Sequence, residues 1–208
     1  KTAVTTKFRN CGQVCISPQR FYVHEKIFEE FSALVANYAA ALTVGNGLDS
    51  ETRLGPLINK TQQQHVLQII EQAKEEKNNI ITGGTAQHPG NFVLPTVIEV
   101  TNKQSEFIHK EIFGPVMPLI PFSTIEEVIT LANQTPYGLS AYIWTNNINH
   151  AIYLSEALEF GMVGINEWAP HATEAPFGGW KQSGIGHESG SEGMMEYMEK
   201  KLIAIGGL

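Results

Sequence analysis

The spacing of apolar residues changes period repeatedly along this chain, and that alternation limits the folds open to it. Phe21-Tyr22-Val23 is short and continuous, as in a strand. From Glu25 onward, Ile27, Phe28, Phe31, Leu34, Val35, Tyr38 and Leu42 share one helical face, and the glycines of Val44-Gly45-Asn46-Gly47 end that helix. A second helix is predicted over residues 61–77, with Val66, Ile69, Ile70 and Ala73 inward, followed by a buried strand Ile80-Ile81-Thr82 that stops at Gly83-Gly84. Residues 92–100 read as extended with Pro95 as a break or edge, and residues 116–122 form another apolar extended run. Ser123-Thr124-Ile125-Glu126 has capping-box spacing and opens a helix through Asn133. Residues 139–145 are a strand. Asn147 caps a helix carrying Ile148, Ala151, Ile152, Ser155 and Leu158 inward, and residues 162–166 are a short buried strand. Strand, helix, strand in this rhythm predicts a three-layer α/β domain with a mainly parallel sheet, occupying residues 1–208 as one unit.

Composition narrows the function classes. With 208 residues, 42% of them hydrophobic, the chain can bury a substantial core. Charged residues are only 17% and form no long run, which argues against disorder. Fourteen Lys and Arg against 21 Asp and Glu give a net charge of −7, so no global cationic field favours nucleic acid or an anionic membrane surface. No apolar run approaches the ~18 residues of a membrane span. The start, Lys1-Thr2-Ala3-Val4, carries neither an initiator Met nor a signal-peptide core, and the expectation is a piece of a longer, cytoplasmic protein. Two cysteines predict a reduced thiol protein, not a disulfide scaffold.

Two clusters can carry chemistry. In Phe8-Arg9-Asn10-Cys11-Gly12-Gln13-Val14-Cys15, a Cys following a Gly-containing polar loop can present its sulfur while its own N–H faces a bound oxygen. The alternative is that both cysteines are small buried hydrophobes. A metal site is not expected, because only His24 lies near the two sulfurs in sequence. In Glu111-Ile112-Phe113-Gly114-Pro115, the carboxylate can accept from sugar hydroxyls and the ring can face a flat heterocycle. The alternative is an exposed Glu beside a packed Phe. A Gly-rich stretch over residues 176–186 makes tight turns, and Leu202-Ile203-Ala204-Ile205 reads as a terminal strand with little of its own chain to pair with.

Taken together, Phe-x-Asn-x-Gly-Gln-x-Cys, then Glu-x-Phe-Gly-Pro about a hundred residues on, then Pro-Phe-Gly-Gly-x-Lys-x-Ser-Gly-x-Gly-x-Glu resemble the NAD(P)-dependent aldehyde dehydrogenase superfamily, in its order and over essentially the whole chain. Lys7-Phe8-Arg9-Asn10, Val163-Gly164-Ile165-Asn166-Glu167 and the Ile205-Gly206-Gly207-Leu208 ending look most like the succinate-semialdehyde dehydrogenase branch. The resemblance implies that Cys15 is the thiolate that attacks the aldehyde and passes through a thiohemiacetal to a thioester, which water hydrolyses. It implies that Glu111 binds the nicotinamide ribose, that Phe113 packs near the nicotinamide ring, and that Phe177 with the loop carrying Trp168 and His171 lines the substrate entrance. Arg9 matches an Arg that holds a substrate carboxylate, which implies an ω-carboxylated aldehyde such as succinate semialdehyde, with a bulkier or aromatic aldehyde as the alternative. In that family the dinucleotide-binding domain, the oxyanion Asn and the general-base Glu precede this segment. The expectation is therefore the catalytic part of the enzyme, inactive by itself, using NAD or NADP and forming a homo-oligomer through catalytic domains, with residues 200–208 as the assembly strand. A coenzyme-A-acylating relative and a non-catalytic scaffold of the same fold remain alternatives. His187 stands where relatives carry Arg and would pair with Glu199 only when protonated, a solvated His without that pair being the alternative, and Cys11 with Cys15 is a candidate redox pair.

Overall fold

A computed structural model describes residues 1–207; Leu208, the last residue of the motif at the C-terminus, lies outside them. The chain divides into two compact units, Lys1–Leu131 and the part from Ala132 onward. The first unit runs α1 (Thr2–Phe8), β1 (Phe21–His24), α2 (Glu25–Ala40), α3 (Lys60–Glu75), β2 (Asn79–Thr82), the short pair β3 (Ala86–Gln87) and β4 (Phe92–Val93), then β5 (Thr96–Glu99) and β6 (Val116–Phe122). Helix α4 (Ile125–Asn133) follows. The sheet order is β1-β6-β5-β2, with β1 and β5 parallel to the central β6 and β2 antiparallel at the edge. This is an α/β fold with a mainly parallel sheet. Strand β6 contains Pro118 and Pro121, each without an N–H to give, and holds the centre through burial of Val116, Met117, Leu119 and Ile120.

The second unit starts with β7 (Tyr137–Gly138). A parallel pair follows, β8 (Ser140–Ile143) and β9 (Met162–Ile165), joined by α5 (Ile148–Ala157); then come β10 (Trp180–Lys181), antiparallel to β7, and α6 (Gly190–Met195). Helix starts are fixed by side chains that accept the first free N–H groups. Asn147 Oδ1 accepts from Asn149 and His150, Asn59 Oδ1 from Gln62, and His24 Nδ1 from Lys26.

Several expectations are corrected. The buried stripe of α2 is Phe28, Ser32, Val35, Ala36 and Ala39, while Ile27, Leu34 and Tyr38, about 100° round the helix, face outward. The helix stops at Ala40, because the Val44-Gly45-Asn46-Gly47 segment bonds sideways instead, the Gly45 N–H donating to the Leu54 carbonyl. Helix α5 buries Ala151 but leaves Ile148 68% exposed and Ile152 51% exposed, since a ladder of two strands is too narrow to cover a whole helical face. Strand β2 is a half-buried edge, not a buried strand. Residues 199–207 belong to no helix or strand; Leu202, Ile203 and Ile205 are exposed.

The cap of α4 is displaced by one residue from its expected place. Thr124 Oγ1 accepts from the Glu127 N–H, and the Glu127 carboxylate reaches back to the Ser123 N–H and hydroxyl. Lys103 ion-pairs with the same carboxylate. Lys103 first, and then the two Ser123 donors, hold the Glu127 carboxyl at about 2, down from 4.5. A depressed carboxyl stabilises the fold above its unfolded value and loses that contribution as pH falls towards the folded one. Glu127→Gln should therefore lower the unfolding midpoint at neutral pH, with the deficit shrinking between 4.5 and about 2. Thr124→Ala should cost about 1 kcal/mol in a denaturant melt.

Candidate active site

The loop after α1 takes an unusual path. Asn10, Cys11 and Gly12 are consecutive left-handed residues, with φ of 49°, 59° and 74°. Asn tolerates this conformation and Gly is free in it, but Cys is strained there. Local bonds hold the turn: Asn10 Nδ2 donates to the Gln13 carbonyl at 2.9 Å, and the Gln13 N–H donates to the Asn10 carbonyl at 3.0 Å. The reason for the path lies across the site. A Cβ on Gly12 would overlap the Gly114 carbonyl, so the two loops meet backbone to backbone at a glycine. The chain then turns again, Ser17 N–H to Val14 carbonyl at 2.9 Å, with Cys15 exposed at the first corner.

The facing loop is pinned as firmly. Gln62 of α3 donates to the carbonyls of Ile112 and Phe113 at 3.3 and 2.9 Å, and Gly114 packs so closely on Val66 that a side chain there would clash. Phe113 sits at a left-handed φ of 48° and is half-buried, while Glu111 is exposed. Gln13 Oε1 accepts from the Ile58 N–H at 3.0 Å, tying the Cys15 loop to a third segment. Between them lies a cleft of about 470 Å³ lined by Asn10, Gln13, Pro56, Leu57, Ile58 and Phe113. Both loops feed parallel strands, β1 and β6, instead of leaving them. The site therefore sits at the strands' amino-terminal ends, opposite to the carboxyl-terminal edge where open α/β sheets usually hold ligands, because the connections here run from helix into strand.

The two sulfurs have different fates. Both are free; Cys11 is buried and Cys15 exposed. Burial pushes the Cys11 thiol up to about 12, against a smaller opposing effect of Lys7. Cys11 is thus the inert hydrophobe of the alternative reading, and Cys15 is the sulfur that solutes can reach. Lys7 is wholly buried, and its amine is lowered to about 7, by burial first, with Cys11 and Glu111 opposing. Arg9 is exposed, and no hydrogen bond or ion pair holds its guanidinium among the described residues. No group of three or more His, Cys, Asp or Glu able to hold a metal occurs among the described residues, and no helix there is long and apolar enough to cross a membrane.

In the second unit, Trp168 stacks against Tyr142 and Trp144 at 5.2 and 5.1 Å between ring centres. The His171 and Phe177 rings meet edge to face at 6.5 Å, with His171 exposed. Thus His171 and Phe177 come together, while Trp168 belongs to an aromatic group on β8. The Gly-rich stretch is spent on turns: Ser183 Oγ accepts from the Gly138 N–H, and Lys181 reaches the carbonyls of Asn133 and Thr135 and pairs with Glu159 at 2.6 Å. The His187 backbone N–H donates to Glu196 at 3.2 Å, and its ring lies over Gly178.

A sequence model described as the aldehyde dehydrogenase family matches residues 1–203. The chain belongs to the aldehyde dehydrogenase family. Mitochondrial succinate-semialdehyde dehydrogenase of Oryza sativa subsp. japonica is 44% identical, over 100% of this chain and 40% of the relative. The 3-sulfolactaldehyde dehydrogenase of Pseudomonas putida is 40% identical, over 99% of this chain and 43% of its own length. Among solved structures, the NAD+ complex of an aldehyde dehydrogenase from Bacillus cereus superposes with a TM-score of 0.89 at 39% identity, covering 94% of this chain and 41% of that one. The chain thus spans about two fifths of the length of these aldehyde dehydrogenases.

Three residues of this candidate site escaped sequence reasoning. Gln13 stood inside a quoted motif, but its bond to Ile58 depends on a segment 45 residues away. Gln62 is a polar position on a helix read only for its apolar face. Lys7 carried no signal of burial, since Lys is rarely interior. The different exposure of the two thiols sets an expected outcome: iodoacetamide should alkylate Cys15 in the native protein and spare Cys11 until denaturant is added, as peptide mass mapping would show. Equal native labelling of both would contradict the buried Cys11.

Proposed function

We propose that this chain provides the thiol and part of the cofactor site for oxidation of an aldehyde to a carboxylic acid with NAD(P)+. The observation that carries the reading is the Gly12–Gly114 contact, which sets the loop of the exposed Cys15 against the loop of Glu111 and Phe113. Cys15 Sγ attacks the carbonyl carbon, and its own backbone N–H donates to the oxygen that gains charge. NAD(P)+, when bound, supplies the acceptor for the hydrogen and electron pair that leave that carbon. Water then cleaves the Cys15 thioester, releasing the acid and the thiol.

The residues present fit one end of such a cofactor. An exposed carboxylate at Glu111 suits paired ribose hydroxyls, the Phe113 ring offers a flat face, and Pro56, Leu57 and Ile58 give the cleft an apolar wall. We assign the remaining dinucleotide contacts and the general base to parts of the enzyme outside these residues. His171 and Phe177, together with Trp168 on its separate aromatic support, are assigned to the substrate entrance. The exposed Leu202-Ile203-Ala204-Ile205 segment is assigned to pairing with a second copy of the chain.

The substrate we propose is an aldehyde with an anionic far end, succinate semialdehyde first. Arg9 supports this: it is exposed and has no ion-pair partner among the described residues, and its guanidinium fork suits a carboxylate. Relatives named for succinate semialdehyde and 3-sulfolactaldehyde likewise take anionic aldehydes. In the complete enzyme, Cys15→Ala should abolish NAD(P)H formation. Arg9→Ala should raise KM for succinate semialdehyde by about tenfold or more, on the scale of a charged hydrogen bond, and leave KM for an uncharged aldehyde nearly unchanged. Equal effects on both aldehydes would remove Arg9 from substrate binding. The 208 residues alone should form no measurable NAD(P)H from succinate semialdehyde, because loss of a general base alone slows such reactions about 10²–10⁴-fold. Turnover by this segment by itself would overturn the assignment of base and cofactor contacts elsewhere.

A further inference from the structure

The proposed chemistry leaves a buried amine unused. Lys7 lies in the last turn of α1 and is the one charged side chain within the buried set of the described residues. Its Nζ is enclosed and has no hydrogen-bond partner there. Its backbone carbonyl accepts from the Ser17 hydroxyl at 3.2 Å, so the residue is built into the base of the Cys15 loop. Two ionisable groups act on the amine: Cys11, four residues further along in the left-handed loop, and Glu111 on the facing loop. The Cys11 thiol stays neutral through the working range, because burial has pushed it up to about 12. Glu111 is therefore the negative charge that answers this amine. The Gly12–Gly114 contact fixes the loop that grows from Lys7 against the loop that carries Glu111, so backbone packing and not a flexible side chain sets their separation. An apolar residue would fill the same space without the cost of burying an ammonium, which makes the charge itself the feature to explain.

We propose that Lys7 is a positioning residue for the cofactor: its buried ammonium keeps the Glu111 carboxylate aimed at the ribose hydroxyls, so cofactor affinity follows the charge on Lys7. This rests on the reading of Glu111 as the ribose-binding carboxylate. Burial lowers the amine to about 7, with Cys11 and Glu111 opposing. The ammonium is present below that value and is lost above it, and affinity should fall in the same direction. NAD+ binding to the full-length enzyme, or NADP+ if that is its cofactor, is measured by calorimetry from about pH 6 to about pH 8.5, on either side of the lowered value. In the wild type, Kd should rise about five- to tenfold over that range, the low end of ordinary site coupling. In Lys7→Met, Kd should stay at the weak, high-pH value throughout. Glu111→Gln should bind weakly with no pH slope, and this variant decides the matter even where Lys7→Met does not fold. A wild-type-like pH slope in Lys7→Met, or in a weakly binding Glu111→Gln, overturns the role of Lys7 and leaves Glu111 in place. Unchanged affinity in Glu111→Gln removes the ribose reading as well, and the two failures are thereby told apart.

Discussion

The contact of Gly12 with the Gly114 carbonyl is the constraint on which the site depends. It is a meeting of two backbones with no room for a side chain between them. To reach it, the first loop passes through three left-handed residues, two of which are not glycine. Such a path persists only where surrounding bonds over-determine it. Here Asn10 and Gln13 bond to each other, Gln13 bonds onward to Ile58, and Gln62 holds the Ile112 and Phe113 carbonyls. Three segments distant in sequence are thus locked at one place. The rigidity falls on the loops, where a reactive group must be aimed, and not on the sheet alone.

The same loop sorts its cysteines by burial. Cys11 turns inward under the left-handed turn and has its thiol pushed up to about 12, while Cys15, four residues later, stands at the corner of an exposed turn. No difference of residue type separates the two. The Lys7 amine, enclosed beside Cys11 and lowered to about 7, shows the reverse effect of the same desolvation: each group is driven towards its neutral form.

Much of the fold was legible because it depends on local pattern. Asn147 announces α5 by its side-chain acceptor, the break at Pro95 separates β4 from β5, and the apolar run of β6 is buried as its composition requires. The errors fall where the answer depends on what covers an element. Ile27, Leu34, Ile148 and Ile152 are apolar and correctly spaced for a helix, yet they are exposed, because periodicity reports a face but not its cover. The cap of α4 is displaced by one residue because Ser123 and Thr124 are both competent acceptors, and Lys103, a residue distant in sequence, pairs with Glu127.

The sequence by itself determined the α/β class and the family to which the chain belongs, and it singled out the two motifs that carry Cys15, Glu111 and Phe113. These follow from residue type and order, which a linear pattern preserves. Only the tertiary structure decided which cysteine is exposed, that the two motifs touch through glycine backbones, and that the loops enter the amino-terminal ends of β1 and β6. It also decided that Lys7 is buried and that Glu196 accepts from the His187 backbone N–H. Each of these depends on distances between segments far apart in sequence, and such distances are set by packing after the local elements have formed.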